Sequence, residues 1–324
     1  MRVEIALLGE VMLELCPTQP ETSDVSRAFA MGVAGDAYNS AYAMAQLGLA
    51  VEYQTALGAD PYSDKILSHA QAAGLGMRWA ARLDGEQPGL YIIDNDEQGE
   101  RTFHYWRGQS AARQLLSDEY GILSLLEPLR SVPRLMLTGI TLALCSEASR
   151  QKLLAWLTAY RTRGGLVIFD NNYRPRLWNS AQQAHLACEQ VLEQTDIYLP
   201  SLDDALLMAG SDDRAQQRDN LASMRIGEVV IKAAADKVTL LLAGQLESIE
   251  LPQIKAPLDT TGAGDSFNAG YLAARIRGCD PLRSVRFAAQ LAAQTIMHRG
   301  ALLPEASWPA QQQLLKAIAA ESDI

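Results

Sequence analysis

The run Asp259-Thr260-Thr261-Gly262-Ala263-Gly264-Asp265-Ser266-Phe267-Asn268-Ala269-Gly270 gathers the residue types that phosphoryl transfer to an alcohol requires. Glycine has no β-carbon, so neighbouring N–H groups can turn towards a ligand, and the first N–H groups of a helix lack partners within it. Phe267, Tyr271, Leu272 and Ile276 recur at helical spacing, which makes 262–264 a helix start and a place for a phosphate or oxyanion. Asp265 follows with no bulky neighbour on its N-terminal side. It can take the proton of a hydroxyl while the N–H groups hold the phosphoryl in transit. The same residues also suit an N-capped helix after a glycine turn, with Asp265 complementing the helix dipole. No G-x-x-x-x-G-K-[ST] string occurs, which disfavours a P-loop nucleotide site.

The elements that must position this loop alternate along the chain. Val3 to Leu8 and Met12 to Cys16 read as strands, and Gly35-Asp36-Ala37-Tyr38-Asn39 opens a helix that ends at Gly48. Tyr53 to Gly58 reads as one strand, followed by a helix from Asp60-Pro61. Gly89 to Asp94 and Arg101 to Arg107 form a hairpin about a polar turn at 95–100. Alternation puts Arg101, Phe103, Tyr105 and Arg107 on one face, a mixture that suits cover over a polar ligand or an exposed hairpin. Strands follow at Arg134 to Gly139, Leu166 to Asp170, Ile197 to Pro200, Glu228 to Lys232, Val238 to Leu242 and Gln245 to Leu251, with helices at Ser146 to Thr162, Ser180 to Gln194, Gly264 to Arg277 and Pro281 to His298. Leu166 to Asp170 is almost wholly apolar, as a strand covered on both faces of a parallel sheet would be. It runs into Asn171-Asn172-Tyr173-Arg174-Pro175-Arg176, polar residues at a strand's carboxyl end, where open α/β sheets bind ligands. Ser201 caps a further helix that carries Asp203 and Asp204 in its first turn.

A formal net charge of −10 argues against sequence-independent binding to nucleic acid or to an anionic membrane, either of which needs a basic face. Cys16, Cys145, Cys188 and Cys279 are scattered without a C-x-x-C, so neither a disulfide framework nor a zinc site is expected, and a reducing cytoplasm fits. The N-terminus carries glutamates in and beside its apolar run, unlike an export signal, and no run approaches membrane-spanning length.

The string from Asp259 to Gly270 resembles the C-terminal signature of the ribokinase-like (PfkB) carbohydrate kinases. That resemblance implies an α/β fold, a ribokinase-like three-layer sandwich with a mainly parallel central sheet, spanning 1–324 as a single domain, with a small β lid from about 10–31 and 89–107. It implies Gly262, Ala263 and Gly264 as an anion hole and Asp265 as the catalytic base, with ATP and Mg²⁺ as cofactors. Gly35, Asp36 and Asn39 match the family's sugar-contacting Gly-Gly-Asp-x-x-Asn string, although Ala34 stands at its first glycine. Tyr105-Trp106-Arg107 and Asp170-Asn171-Asn172-Tyr173-Arg174-Pro175-Arg176-Leu177-Trp178 resemble the branch of the family that phosphorylates the 6-hydroxyl of the sugar acid 2-keto-3-deoxygluconate. By that likeness Tyr91, Tyr105, Arg107 and Arg174 hold the acid, and fork-shaped donors are what a carboxylate calls for. Ser201, Lys232 and Asn268 would face the nucleotide and Asp204 the metal, with Ser201, Ala233 and Ala234 departing from the usual pattern. The small-molecule partners implied are the sugar acid and ATP, with a homo-oligomer formed through the lid. The alternatives are a sibling kinase for another sugar acid or for fructose or ribose, and a non-catalytic sugar or nucleotide sensor.

Overall fold

The computed structural model describes residues 2–18, 27–95, 101–233, 237–242, 244–251, 254 and 257–321. The hairpin turn at 96–100, most of the polar segment at 19–26, and Ala234 lie outside them.

The strands are β1 (Ile5–Leu8), β2 (Met12–Pro17), β3 (Phe29–Ala34), β4 (Val51–Gln54), β5 (Ala56–Gly58), β6 (Ala81–Leu83), β7 (Gly89–Asn95), β8 (Arg101–Trp106), β9 (Arg134–Thr138), β10 (Leu166–Asp170), β11 (Ile197–Tyr198), β12 (Glu228–Ala233), β13 (Lys237–Leu242) and β14 (Gln245–Glu250). The helices are α1 (Asp36–Gln46), α2 (Pro61–Ala72), α3 (Ala111–Ser117), α4 (Glu119–Leu126), α5 (Gly139–Leu144), α6 (Glu147–Thr162), α7 (Ala181–Leu192), α8 (Leu202–Ala209), α9 (Arg214–Ala222), α10 (Ala263–Ile276), α11 (Pro281–Thr295) and α12 (Trp308–Ala320).

One eight-stranded sheet runs in the order β14-β13-β12-β11-β10-β9-β1-β4. From β12 to β4 every neighbouring pair is parallel, while β13 and β14 are antiparallel additions at one edge. Strand alternation divides the core in two. Ile5, Leu7, Met136, Ile168 and Val230 point into one apolar cluster with α1, α10 and α11. Ala6, Leu8, Leu135, Leu137, Val167, Phe169, Val229 and Ile231 point into the other, with α4, α6 and α7. Two buried faces are why these strands read as near-continuous apolar runs, and they make the three-layer sandwich.

A second sheet, β3-β2-β7-β8, is the lid. Its first part extends to Ala34, beyond the 10–31 expected from the sequence. The run Tyr53 to Gly58 is two strands rather than one. The partner of β4, β1, ends at Leu8 opposite Gln54, so the chain beyond Thr55 leaves the main sheet and pairs with β6. Sequence reading also passed over α3, α4, α5, α9 and α12. Four of these have nine residues or fewer, and α3, α4, α5 and α9 start on side-chain caps from Ser110, Asp118, Thr138 and Asp213.

Candidate active site

The carboxyl ends of β1, β9, β10 and β12, the start of α10 and the inner face of the lid enclose a cleft of about 1610 Å³. Single small-molecule sites occupy roughly 300–1,000 Å³, so this space suits two ligands side by side. Every candidate residue from the sequence lines it except Asn268.

Gly262, the N-cap of α10, sits at φ 74°, and a β-carbon there would lie 2.4 Å from the Ala301 carbonyl oxygen, so only glycine fits this turn. Asp259 clamps the loop, its carboxylate accepting from Thr261 N–H at 3.0 Å and Gly300 N–H at 2.6 Å. Ala263 N–H donates to the Thr260 carbonyl at 3.3 Å. Among the described residues, the N–H groups of Gly262, Gly264 and Asp265 have no hydrogen-bond partner at this helix start and are left for a ligand.

Asp265 lies in the first turn of α10 at the floor of the cleft. Asn39 Nδ2 donates to its Oδ2 at 2.8 Å, and Ser40 Oγ donates to its carbonyl at 3.1 Å, so α1 fixes both its side chain and its backbone. Burial, with the negative charge of Asp36 beside it, pushes its carboxyl up to about 7. Asp36 is held in turn by Thr138 Oγ1 at 2.6 Å and Asn172 Nδ2 at 2.9 Å, both donating to Oδ2. Asn172 has φ 28°, the one positive value outside glycine among the described residues, and backbone strain of this kind gathers at functional sites. The backbone of Gly35 passes so close to Glu10 that a β-carbon on it would lie 2.4 Å from the Glu10 carbonyl oxygen.

Under the helix start, Lys232 Nζ donates to Asp170 Oδ2 at 2.7 Å and to Asn268 Oδ1 at 2.9 Å, and Asn268 Nδ2 donates to Asp170 Oδ2 at 2.6 Å. Asn268 is therefore a buried support for Lys232 and does not itself line the cleft. The Lys232 ammonium stands 4.0 Å from where a β-carbon on Gly264 would be, close to the anion site. Ser201 Oγ caps α8 through Asp204 N–H at 3.3 Å. Asp204 is not free for a cation: Arg174 Nη1 lies 3.1 and 3.3 Å from its two oxygens. Among the described residues no group of three acidic, histidine or cysteine side chains is placed to hold a metal ion.

On the lid, Phe103, Tyr105 and Arg107 face the cleft as strand alternation requires, and the side chain of Arg101 lies outside the described residues. The Tyr91 and Tyr105 rings stand 5.5 Å apart, and the Tyr91 hydroxyl donates to Glu14. Arg107 is buried and ion-paired through Nη2 with Glu10, which also accepts from Ser110, the cap of α3. Glu10 lies where the roots of all four lid strands converge, next to Met12, Ala34, Gly89 and Trp106.

Residues 3–308 match the model of the pfkB family carbohydrate kinases. The chain belongs to that family. It is 38% identical to the 2-dehydro-3-deoxygluconokinase of Escherichia coli K12, over 96% of this chain and 100% of that one. It is 40% identical to the enzyme of the same name from Dickeya dadantii, over 94% of this chain and 98% of that one. The fructokinase of Xylella fastidiosa, whose crystal structure holds ATP, superposes with a TM-score of 0.78 at 21% identity, covering 97% of this chain and 99% of that chain, which establishes a shared fold.

Within this kinase fold, the structure adds residues that sequence reading left without a role: Glu10, Ser110, Thr138, Asp170, Asn172 and Arg176. A usable signal existed for some of them. Glu10, Thr138 and Asp170 are polar residues that end or directly follow apolar strands, the position where an α/β sheet places its ligand contacts. Ser110 carried no such signal, since only the closure of the lid brings it to Glu10.

Proposed function

We propose that this chain is a 2-keto-3-deoxygluconate kinase, transferring the γ-phosphoryl of ATP to the 6-hydroxyl of that sugar acid. One observation carries the phosphoryl-transfer chemistry, a carboxylate fixed by Asn39, raised to about 7, in the first turn of a helix whose free N–H groups face the same cleft, and the 38% and 40% identity to two 2-dehydro-3-deoxygluconokinases supports the sugar acid. Asp265 takes the hydroxyl proton as the sugar oxygen bonds to the γ-phosphorus and the bond to the leaving ADP oxygen breaks. The N–H groups of Gly264 and Asp265, the positive end of α10 and Lys232 bear the charge in transit. Asp36 and Asn39, beside Gly35, hold sugar hydroxyls, while Tyr91, Tyr105, Arg107 and Arg174 close over the substrate. Val238, Ile249, Leu282 and Ile296 give the nucleotide base an apolar wall, with Ser201 towards the phosphates. Mg²⁺ enters with ATP as part of the substrate, because Asp204 already has Arg174 as its cation.

One finding favours a second reading, a kinase for a neutral ketose such as fructose: Arg107 and Arg174 both have protein counter-ions, Glu10 and Asp204. A coupled assay of ADP release across 2-keto-3-deoxygluconate, fructose and ribose decides between them. The sugar acid is expected to have the highest kcat/KM, and a higher value for fructose would overturn the assignment.

The proposal extends to the chain's setting. The 1–324 chain acts as one kinase domain, and the outer lid face, with Met31 and Trp106 exposed, pairs with a second copy. Four scattered cysteines without a C-x-x-C suit a reducing cytoplasm, and among the described residues no helix is long and apolar enough to cross a membrane.

A further inference from the structure

The sugar end of the cleft holds three arginines, and their surroundings differ. Arg107 is buried against Glu10, and Arg174 leans on Asp204 at 3.1 Å. Arg176, two residues further along the turn that leaves β10, lines the same cleft. It has no ion pair and no side-chain hydrogen bond among the described residues. Tyr105 locates it: the hydroxyl of that lid residue feels the positive charges of Arg107, Arg174 and Arg176 together. The carboxylates of Glu10, Asp36 and Asp204 line the same space. Arg107 and Arg174 each have a protein carboxylate at ion-pair distance, so Arg176 is the arginine at this end whose charge no ion pair among the described residues offsets.

We infer that Arg176 is the specificity-determining cation of this site, the charge that makes the cleft accept a sugar carboxylate rather than a neutral sugar. The paired arginines contribute shape and N–H donors, and Arg176 contributes the unbalanced charge. The inference rests on the sugar-acid assignment above and names the residue that produces it. The other cleft arginine without a partner among the described residues, Arg286, stands on α11 beside the apolar Leu282 and Ala289, on the wall given to the nucleotide base.

The test compares the full-length wild type with Arg176→Leu on 2-keto-3-deoxygluconate and on its analogue with the carboxylate reduced to an alcohol. Arg176 is exposed, so the leucine variant keeps the fold. Its KM for the acid is expected to rise about tenfold, the worth of one partly exposed charge-assisted contact, while its KM values for the neutral analogue and for ATP stay within about twofold. Arg176→Lys should recover most of the loss, because charge rather than fork geometry is what this position supplies. Raising the salt from about 50 to 500 mM should shrink the difference between wild type and leucine variant. An unchanged KM for the acid, an equal loss on both sugars, or a rise confined to ATP would each overturn the inference while leaving the kinase assignment in place. A wild type that phosphorylates only the neutral analogue would overturn that assignment and this inference with it.

Discussion

The floor of the cleft and its lid are built by different rules. On the floor, polar groups are tied into the main sheet and the helices on it: Asp36 to Thr138 and Asn172, Asp265 to Asn39, Lys232 to Asp170 and Asn268. On the lid, aromatic rings and arginines sit on a thin four-stranded sheet, Tyr105 is 47% exposed, and Arg107 is anchored by its ion pair with Glu10. Groups that move a proton or bear transferred charge need fixed positions, since small misplacements cost large factors in rate. Groups that choose a substrate can close over it after it arrives. On the proposed mechanism, Asp265 and the helix start govern kcat, while the lid and the turn after β10 govern KM for the acid.

The largest effect should come from the floor. Asp265→Asn keeps the carboxamide's size and its contact with Asn39 but cannot take a proton, so kcat should fall about 10²–10⁴-fold with nucleotide binding intact. A carboxylate whose folded value lies near 7 costs stability once pH rises above its unfolded value near 3.9. The asparagine variant should therefore show a higher Tm at pH 8 than the wild type. A wild-type kcat would remove Asp265 from the chemistry.

The next effect is on the lid. Arg107→Leu should raise KM for the sugar acid by about ten- to two-hundredfold, the worth of one charge-assisted bond at about 1.5–3 kcal/mol. It also leaves Glu10 buried without its cation, and breaking such a pair costs about 3–5 kcal/mol, so the thermal midpoint should drop and the neutral analogue should weaken too, by less. Adding Glu10→Gln should restore the midpoint without restoring KM. If the double variant also recovered the acid's KM, Arg107 would be a strut for the lid and not a contact for the substrate.

These two regions were not equally legible in the sequence. The floor was: a glycine loop before a helical repeat and polar residues at strand ends are local patterns, and both fell where the fold needs them. The face of β8 was legible by alternation. What stayed hidden were partners joined only by tertiary closure. Nothing near Arg107 in sequence announces Glu10, almost a hundred residues earlier, and nothing near Arg174 announces Asp204. Both pairings change the electrostatic meaning of arginines expected to hold the substrate, which line the cleft with protein counter-ions of their own. The same distance effect split the run at Thr55, because where β1 stops cannot be read from β4.

A smaller effect sharpens the floor's role. Asp265 works only when ionised, so with its carboxyl at about 7, kcat/KM should fall about tenfold from pH 8 to pH 6. Asp36 is one cause of that raised value, so in Asp36→Asn a titration of the Asp265 carboxyl by NMR should move to lower pH. No movement would mean that burial alone sets it.

The smallest effect is at the lid's root. Ala34 is buried with Met12, Tyr91 and Ile93, so the glycine that the family resemblance expects there would not be neutral in this chain. Ala34→Gly should keep activity within a few-fold and cost about 0.5–1 kcal/mol, seen as a modest loss in Tm. Abolished activity would show that the loop before Gly35 is positioned by this side chain.

The most direct test separates kcat from KM in the unmodified enzyme. Steady-state kinetics with 2-keto-3-deoxygluconate and with its carboxylate-reduced analogue, at saturating MgATP, should give kcat values within a few-fold, because the 6-hydroxyl meets the same Asp265. KM should be at least about tenfold lower for the acid, because only the acid engages the arginines around Tyr105. Equal KM values, or a difference carried entirely by kcat, would contradict a division of labour in which the floor does the chemistry and the lid end selects the acid.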